Sequence, residues 1–312
     1  MFDFKMLHEW ANEQEPVFIV GPERSGTSMI FRSVVSHPSF CSFENATVET
    51  FCFVRPCALF NEKSPENYEM RLYLGGEYAN FVKAISPLRE INKLCDQLAL
   101  PRNIFVKNRQ VVWNRRNYRE LLRVFFYFSW QNLGKNRLAE KTPAHIRAID
   151  QIFDCFPKAK VLICVRDPVE IIASHRKRYA KEIELGKLAD DESLSWLNKK
   201  AEHYMHYFEH VDQLISQAAA TYADNVLSVP YKKVTQEPEF IRAIFDFLNE
   251  RVAGSGNVLQ GDGGKSLTWD PLLASAPVAN EIELDKWLTD EDIDYLRSGG
   301  EAIRFKLHAW RL

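Results

Sequence analysis

The sequence predicts a three-layer α/β fold around a central parallel sheet. Two short apolar runs, Val17 to Val20 and Lys160 to Val165, have the near-continuous hydrophobicity of strands buried on both faces. Each run passes through a few polar or glycine residues into a helical pattern. Strand-like and helical stretches continue to alternate along the chain, which is the signature of stacked βαβ units.

The elements follow in order. Val17-Phe18-Ile19-Val20 is the first strand, broken by Gly21-Pro22-Glu23-Arg24-Ser25-Gly26. A helix runs from about Thr27 to Ser36 with Met29, Ile30, Val34 and Val35 on one face, and His37-Pro38 stops it. Tyr78 to Leu98 and Tyr118 to Gln131 carry apolar residues at mixed three- and four-residue spacing and read as helices. Arg137 to Glu140 is a brief strand, and Pro143 opens a helix through about Phe153. After the strand Lys160 to Val165, Asp167 is a candidate N-cap and Pro168 a first helical residue for Val169 to Tyr179. A long helix, Ser193 to Ala220, presents Trp196, Tyr204, Phe208, Val211 and Ile215. The strand Asn225 to Val229 leads to Tyr231 and a helix from Pro238 to Asn249, and Gly254 to Gly264 reads as a loop.

Composition narrows the function classes. The 312 residues are 46% hydrophobic and 26% charged, which excludes a disordered chain, and 40 basic against 42 acidic residues give a net charge of -2. A globally basic nucleic-acid binder is excluded, although a local basic pocket is compatible with this balance. The six cysteines form no CxxC pair and no zinc-finger spacing, so reduced thiols and no metal site are expected. The N-terminus is too charged for a signal peptide, and Val124 to Trp130 is too short to span a bilayer. A soluble, cytoplasmic protein is expected.

The loop after the first strand has the makings of an anion site. A tight turn into a helix aims backbone N–H groups outward, Arg24 adds a permanent charge, and Ser25, Thr27 and Ser28 add hydroxyls. A nucleoside-triphosphatase loop needs GxxxxGK[ST], but Gly26 is followed by Thr27 rather than lysine. Gly264-Lys265-Ser266 fails as well, because Leu259 stands where the first glycine belongs.

Phe18 to Ser28 resembles the 5′-phosphosulfate loop of sulfotransferases that use 3′-phosphoadenosine 5′-phosphosulfate (PAPS). Val161 to Arg178, with Arg166 closing the strand and Ser174 on the next helix, is similar to the same family's 3′-phosphate motif. Ala139-Glu140-Lys141-Thr142-Pro143 resembles the EKTP- or EKSP-like segment of several carbohydrate- and protein-directed members. Asn225 to Tyr231 resembles the later strand that ends in a tyrosine near the nucleotide, although Lys232 and Lys233 stand where acidic residues are common. Lys286-Trp287-Leu288 is a weak further match. The resemblance implies a P-loop-like fold, a single domain over 1–312, and a helical substrate-facing subregion near 50–135.

It also implies roles. Arg24, Ser25, Gly26, Thr27, Ser28, Arg166, Ser174 and Tyr231 would bind the nucleotide. Arg24 and Lys141 would stabilise the transferring sulfuryl group. Glu44 would take the acceptor proton, with Glu49, Glu140 and His145 as alternatives. The flanking Phe43 and Phe51 would raise the pKa of Glu44 by desolvation. The expected reaction moves the sulfuryl group of PAPS onto a hydroxyl of a carbohydrate or glycoconjugate, without a metal. Arg102, Lys107, Arg109, Arg115 and Arg116 would suit an anionic acceptor, and equally a solvated basic face. Two other readings stay open: a kinase with an atypical loop using ATP and Mg²⁺, and a non-catalytic nucleotide binder on the same fold. The binder would keep Arg24, Ser25, Arg166 and Ser174 but not need Glu44 or Lys141.

Overall fold

The computed structural model describes residues 2–43, 49–54, 68–98, 115–187, 196–237, 239–251 and 282–302. In chain order the elements are α1 (Phe4–Glu13), β1 (Val17–Val20), α2 (Thr27–Val35), β2 (Phe40–Cys41), α3 (Tyr68–Leu74), α4 (Tyr78–Gln97) and α5 (Arg115–Asn132). There follow β3 (Arg137–Lys141), α6 (Ile149–Cys155), β4 (Lys160–Val165), α7 (Pro168–Glu184), α8 (Ala201–Thr221), β5 (Val226–Pro230), α9 (Tyr231–Gln236), α10 (Glu239–Phe247) and α11 (Asp290–Ala302). The strands form a five-stranded sheet in the order β2-β3-β1-β4-β5, and the fold is α/β as the sequence predicts. β1 runs parallel to β3 with Phe18 opposite Glu140 and Ile19 opposite Lys141, and β2 runs parallel to β3 with Phe40 opposite Arg137.

The chain divides into two compact units, Met1–Ile19 with Phe31–Val161, and Val20–Ile30 with Leu162–Leu312. In the first unit the core is aromatic. Phe18 of β1 meets Phe53 edge-on at 5.5 Å, Phe126 meets Phe156 at 5.1 Å, and Phe43 stacks on Phe125 at 5.5 Å. Offset and edge-to-face pairs of this kind add to the area that the rings bury. α1 joins this core through Leu7, Trp10 and Ala11, and Asp3 caps it by accepting from the N–H groups of Lys5 and Met6. The sequence reading missed α1, β2, α3, α9 and α11. Arg123 is buried and donates to the carbonyls of Cys155 and Asp154, satisfying acceptors at the end of α6.

In the second unit β4 is buried along almost its whole length, as its apolar run requires. Tyr204, Phe208, Val211 and Ile215 of α8 and Leu296 of α11 are buried in the same unit. Asp167 accepts from the Val169 N–H and Pro168 opens α7, as predicted. Two expectations are modified. Pro143 starts a 3-10 turn to Ala148 before α6, and α8 begins at Ala201 after a short 3-10 turn, Trp196–Asn198. The Gly254 to Gly264 stretch and Glu44 lie outside the described residues. Among the described residues no helix is long and apolar enough to cross a membrane. Cys41, Cys52, Cys155 and Cys164 are free thiols, and burial pushes Cys155 up to about 12.

Gly21 is the tightest point of the second unit. Its φ is +140°, and a Cβ placed there would stand 2.3 Å from the carbonyl oxygen of Cys164 in β4. Backbone cannot yield as a flexible side chain can. Gly21→Ala is therefore expected to destabilise the fold by about 2 kcal/mol or more. Chemical denaturation with and without the substitution checks this.

Candidate active site

The second unit gathers the loop, Arg166, Ser174 and Tyr231. Gly21, Arg24 and Gly26 all have positive φ, at 140°, 69° and 97°, so the chain turns sharply before entering α2. Ser25 closes the loop from within, its hydroxyl donating to the Pro22 carbonyl at 2.6 Å. Thr27 is buried at the first turn of α2, and Ser28 is half-buried beside it. Arg24 Nε donates to Ser174 Oγ at 3.1 Å, which ties the loop to α7. Arg166 Nη1 reaches the Arg24 carbonyl at 3.4 Å, and its guanidinium lies 4.1 Å from the centre of the Tyr231 ring. Gly26 lets that ring approach, since a Cβ there would meet Tyr231 Cδ2 at 2.8 Å. Two guanidiniums, helix-terminal hydroxyls and a glycine turn converge here, a donor set suited to multiply charged oxyanions.

Arg166 Nε also donates to Glu170 at 2.9 Å, one helical turn further on. Burial favours the protonated Glu170, but the hydrogen bonds and charges of Arg166 and Lys232 outweigh it and hold the carboxyl below its ordinary value. His175, next to Ser174, stacks on Tyr204 at 5.7 Å and is buried. Burial first, then the charges of Arg24 and Arg178, push its pKa down to about 3.

The first unit gathers the residues around β3. Lys141 ends that strand and its Nζ donates to Glu49 Oε1 at 2.7 Å, the lysine buried and the glutamate side chain 25% exposed. Glu140, only 2% exposed, is enclosed by donors: Thr50 Oγ1 at 2.8 Å, Thr142 Oγ1 at 2.6 Å and His145 Nδ1 at 3.0 Å. His145 Nε2 accepts the Phe53 N–H at 3.2 Å, so Nδ1 carries the proton that goes to Glu140. Burial pushes Glu140 up, but the imidazole and the two hydroxyls more than offset it and hold the carboxyl low. The network fixes segment 49–53 to β3 and so sets the position of Glu49 against Lys141.

Every expected site residue except Glu44, which lies outside the described residues, now has a place. Arg24, Ser25, Gly26, Thr27, Ser28, Arg166, Ser174 and Tyr231 come together in the second unit. Lys141, Glu49, Glu140 and His145 come together in the first. The sequence reading did not find Glu170. Its signal was the i,i+4 spacing from Arg166 across the helix start. The Glu49–Lys141 pair joins residues far apart in sequence, and the hydrogen bonds that hold segment 49–53 to β3 and the turn after it bring them into contact. Among the described residues no group of three or more His, Cys, Asp or Glu side chains is arranged to hold a metal ion.

Comparison with known proteins identifies the family and the fold. The sulfotransferase family profile matches residues 16–253, most of the chain, and the chain belongs to the sulfotransferase family. The solved sulfotransferase domain from the curacin biosynthetic pathway is 16% identical, covering 93% of this chain and 97% of its own, with a TM-score of 0.50. The sulfotransferase domain of the Synechococcus PCC 7002 olefin synthase is 19% identical over 96% of this chain and 98% of its own, with a TM-score of 0.48. Sulfotransferase STF9 from Mycobacterium avium is 14% identical over 95% and 80%, also at 0.48. At these identities the likeness concerns the fold. No curated protein matches the sequence significantly.

His175 makes a pH prediction. Its folded pKa, about 3, lies below the ordinary 6.5, so the unfolded chain binds the extra proton between those values. Stability should be full above pH 6.5 and fall as the pH drops below it. Glu140 adds a similar loss only below the ordinary carboxylate value of 4.5. Denaturation curves between pH 7 and 5 should therefore show a slope that His175→Phe, which keeps the ring stack, largely removes.

Proposed function

We propose that this sulfotransferase moves the sulfuryl group of PAPS onto a hydroxyl of a carbohydrate or glycoconjugate. The observation that carries the reading is the interlocked set of Arg24, Ser174, Arg166 and Tyr231 around a loop without a triphosphatase lysine. The residues fit the group. A 3′,5′-bisphosphorylated nucleotide needs two separate anion sites, and this set offers two guanidiniums with hydroxyls at the start of α2 and on α7. PAPS supplies an activated sulfuryl group when bound. Arg24, Thr27 and Ser28 hold its 5′ end, Arg166 and Ser174 hold the 3′-phosphate, and Tyr231 lies against the nucleotide.

The chain's own part in the chemistry is positioning, charge and one proton transfer. Sulfuryl transfer resembles phosphoryl transfer, with a loose transition state and charge on peripheral oxygens. Lys141 and Arg24 set positive charge against those oxygens. A carboxylate accepts the proton of the acceptor hydroxyl. Glu49 is favoured for this because it lies beside Lys141 and is partly open to solvent, whereas Glu140 and His145 are occupied by each other and by Thr50, Thr142 and Phe53. Glu44 remains a candidate on its place in the sequence after α2.

The reading takes the chain as one catalytic domain, with 50–135 as its acceptor-facing helical subregion. The EKTP resemblance is compatible with a carbohydrate acceptor, and is shared by protein-directed members. Of the basic residues near that subregion, Arg116 is exposed on α5, and Arg102, Lys107 and Arg109 lie outside the described residues. A cytoplasmic setting is supported by the free thiols of Cys41, Cys52, Cys155 and Cys164.

Two measurements test the reading. 3′-Phosphoadenosine 5′-phosphate (PAP) should raise the melting temperature well above the effect of ATP with Mg²⁺, because a ligand bound only by the native state stabilises it. An equal or larger effect of ATP with Mg²⁺ favours the kinase reading instead. With an acceptor identified by mass-spectrometric screening, Glu49→Gln should lower kcat roughly a hundred-fold with nucleotide affinity nearly unchanged. Normal turnover in that variant and a comparable loss in Glu44→Gln would move the base to Glu44.

A further inference from the structure

Glu170 does more than pair with Arg166. Its Oε2 accepts from Arg166 Nε at 2.9 Å, and its Oε1 lies 3.0 Å from Lys232 Nζ. One carboxylate thus holds two cations, one on each oxygen. Arg166 lies over the Tyr231 ring, and Lys232 is the next residue after Tyr231 in α9. A local ion pair needs one cation per carboxylate. Here the group of three carries a surplus positive charge, and Arg24, bonded to Arg166 through its carbonyl, adds another.

The two cations differ in access. The Arg166 side chain is only 5% exposed and two of its nitrogens are engaged with Glu170 and Arg24. The Lys232 side chain is 62% exposed, with its ammonium anchored on one side by Glu170. A dianionic ligand that Arg166 touches from within would still lack a donor from the solvent side. An ammonium on a flexible four-carbon stem can swing to supply one. Lys233 does not share this setting, since its ammonium lies 5.5 Å from the Phe240 ring.

We propose that Lys232, held in place by Glu170, is a further nucleotide-binding residue that joins Arg166 on the 3′-phosphate. The inference rests on the nucleotide reading above and adds to it a residue that sets the preference for 3′-phosphorylated nucleotides. Glu170 is a positioning residue: it orients both cations and touches no ligand. Fixing them beforehand reduces the ordering that binding requires.

Calorimetric titration of PAP and of AMP, which lacks the 3′-phosphate, into wild type, Lys232→Gln, Lys233→Gln and Glu170→Gln tests this. Lys232→Gln should weaken PAP roughly tenfold or more, the scale of one charge-assisted hydrogen bond, and change AMP less than twofold. Its ligand-free melting temperature should stay near wild type, because an exposed ion pair contributes little to stability. Lys233→Gln should leave both nucleotides unchanged. Glu170→Gln should weaken PAP despite adding net positive charge. The proposal is overturned if Lys232→Gln binds PAP as wild type does, or loses PAP and AMP equally. Tighter PAP binding by Glu170→Gln would show that the carboxylate competes with the phosphate rather than preparing its site. If wild type itself binds PAP no better than AMP, the underlying nucleotide reading fails as well.

Discussion

The close passage of Gly21 against the Cys164 carbonyl is the constraint on which the proposed nucleotide site depends. With no side chain at that point, the backbone leaves β1 within contact distance of β4 and turns through Arg24 and Gly26 into α2. Everything later in the site uses that turn. It brings the Arg24 side chain to Ser174 and the Arg24 carbonyl to Arg166, and it opens the space at Gly26 that the Tyr231 ring fills. The loop is a shape imposed by packing, and its binding groups follow from that shape.

Three carboxylates do different work because their surroundings differ. Glu140 is buried and fully engaged by hydroxyls and an imidazole, which makes it a fastener between β3 and segment 49–53. Glu170 has a cation on each oxygen and serves to aim them. Glu49 has Lys141 on one oxygen and partial access to solvent, which suits the proton acceptor proposed above. Residue type alone does not separate these roles; the partners of each oxygen do.

Much of the fold was legible in the sequence. β1 and β4 announce themselves because strands covered on both faces must be apolar almost throughout, whereas β5, half-buried at the sheet's end, shows only a shorter apolar run. Asp167-Pro168 marks the start of α7 through capping and a pre-set φ. α1 was missed although Asp3 is a regular cap, because its apolar face is only Leu7, Trp10 and Ala11. β2, at two residues, is shorter than any periodicity can reveal. The anion loop with Arg166, Ser174 and Tyr231 could be assembled from motifs, since the loop, Arg166 and Tyr231 stand at strand ends or helix starts and Ser174 follows on α7. The pairing of Lys141 with Glu49, and of Lys232 with Glu170, could not, because tertiary contacts decide which carboxylate meets which cation.

The central claim is that one interlocked group of residues provides two distinct phosphate sites. Phosphorus NMR of PAP titrated with the protein tests it most directly, because the 3′ and 5′ phosphates give separate resonances. Both resonances should shift on binding to wild type. With Arg166→Ala the 5′ resonance should still shift at high protein concentration, while the 3′ resonance stays close to its free position. A wild-type titration in which only the 5′ resonance moves, or in which Arg166→Ala alters both alike, would contradict the account.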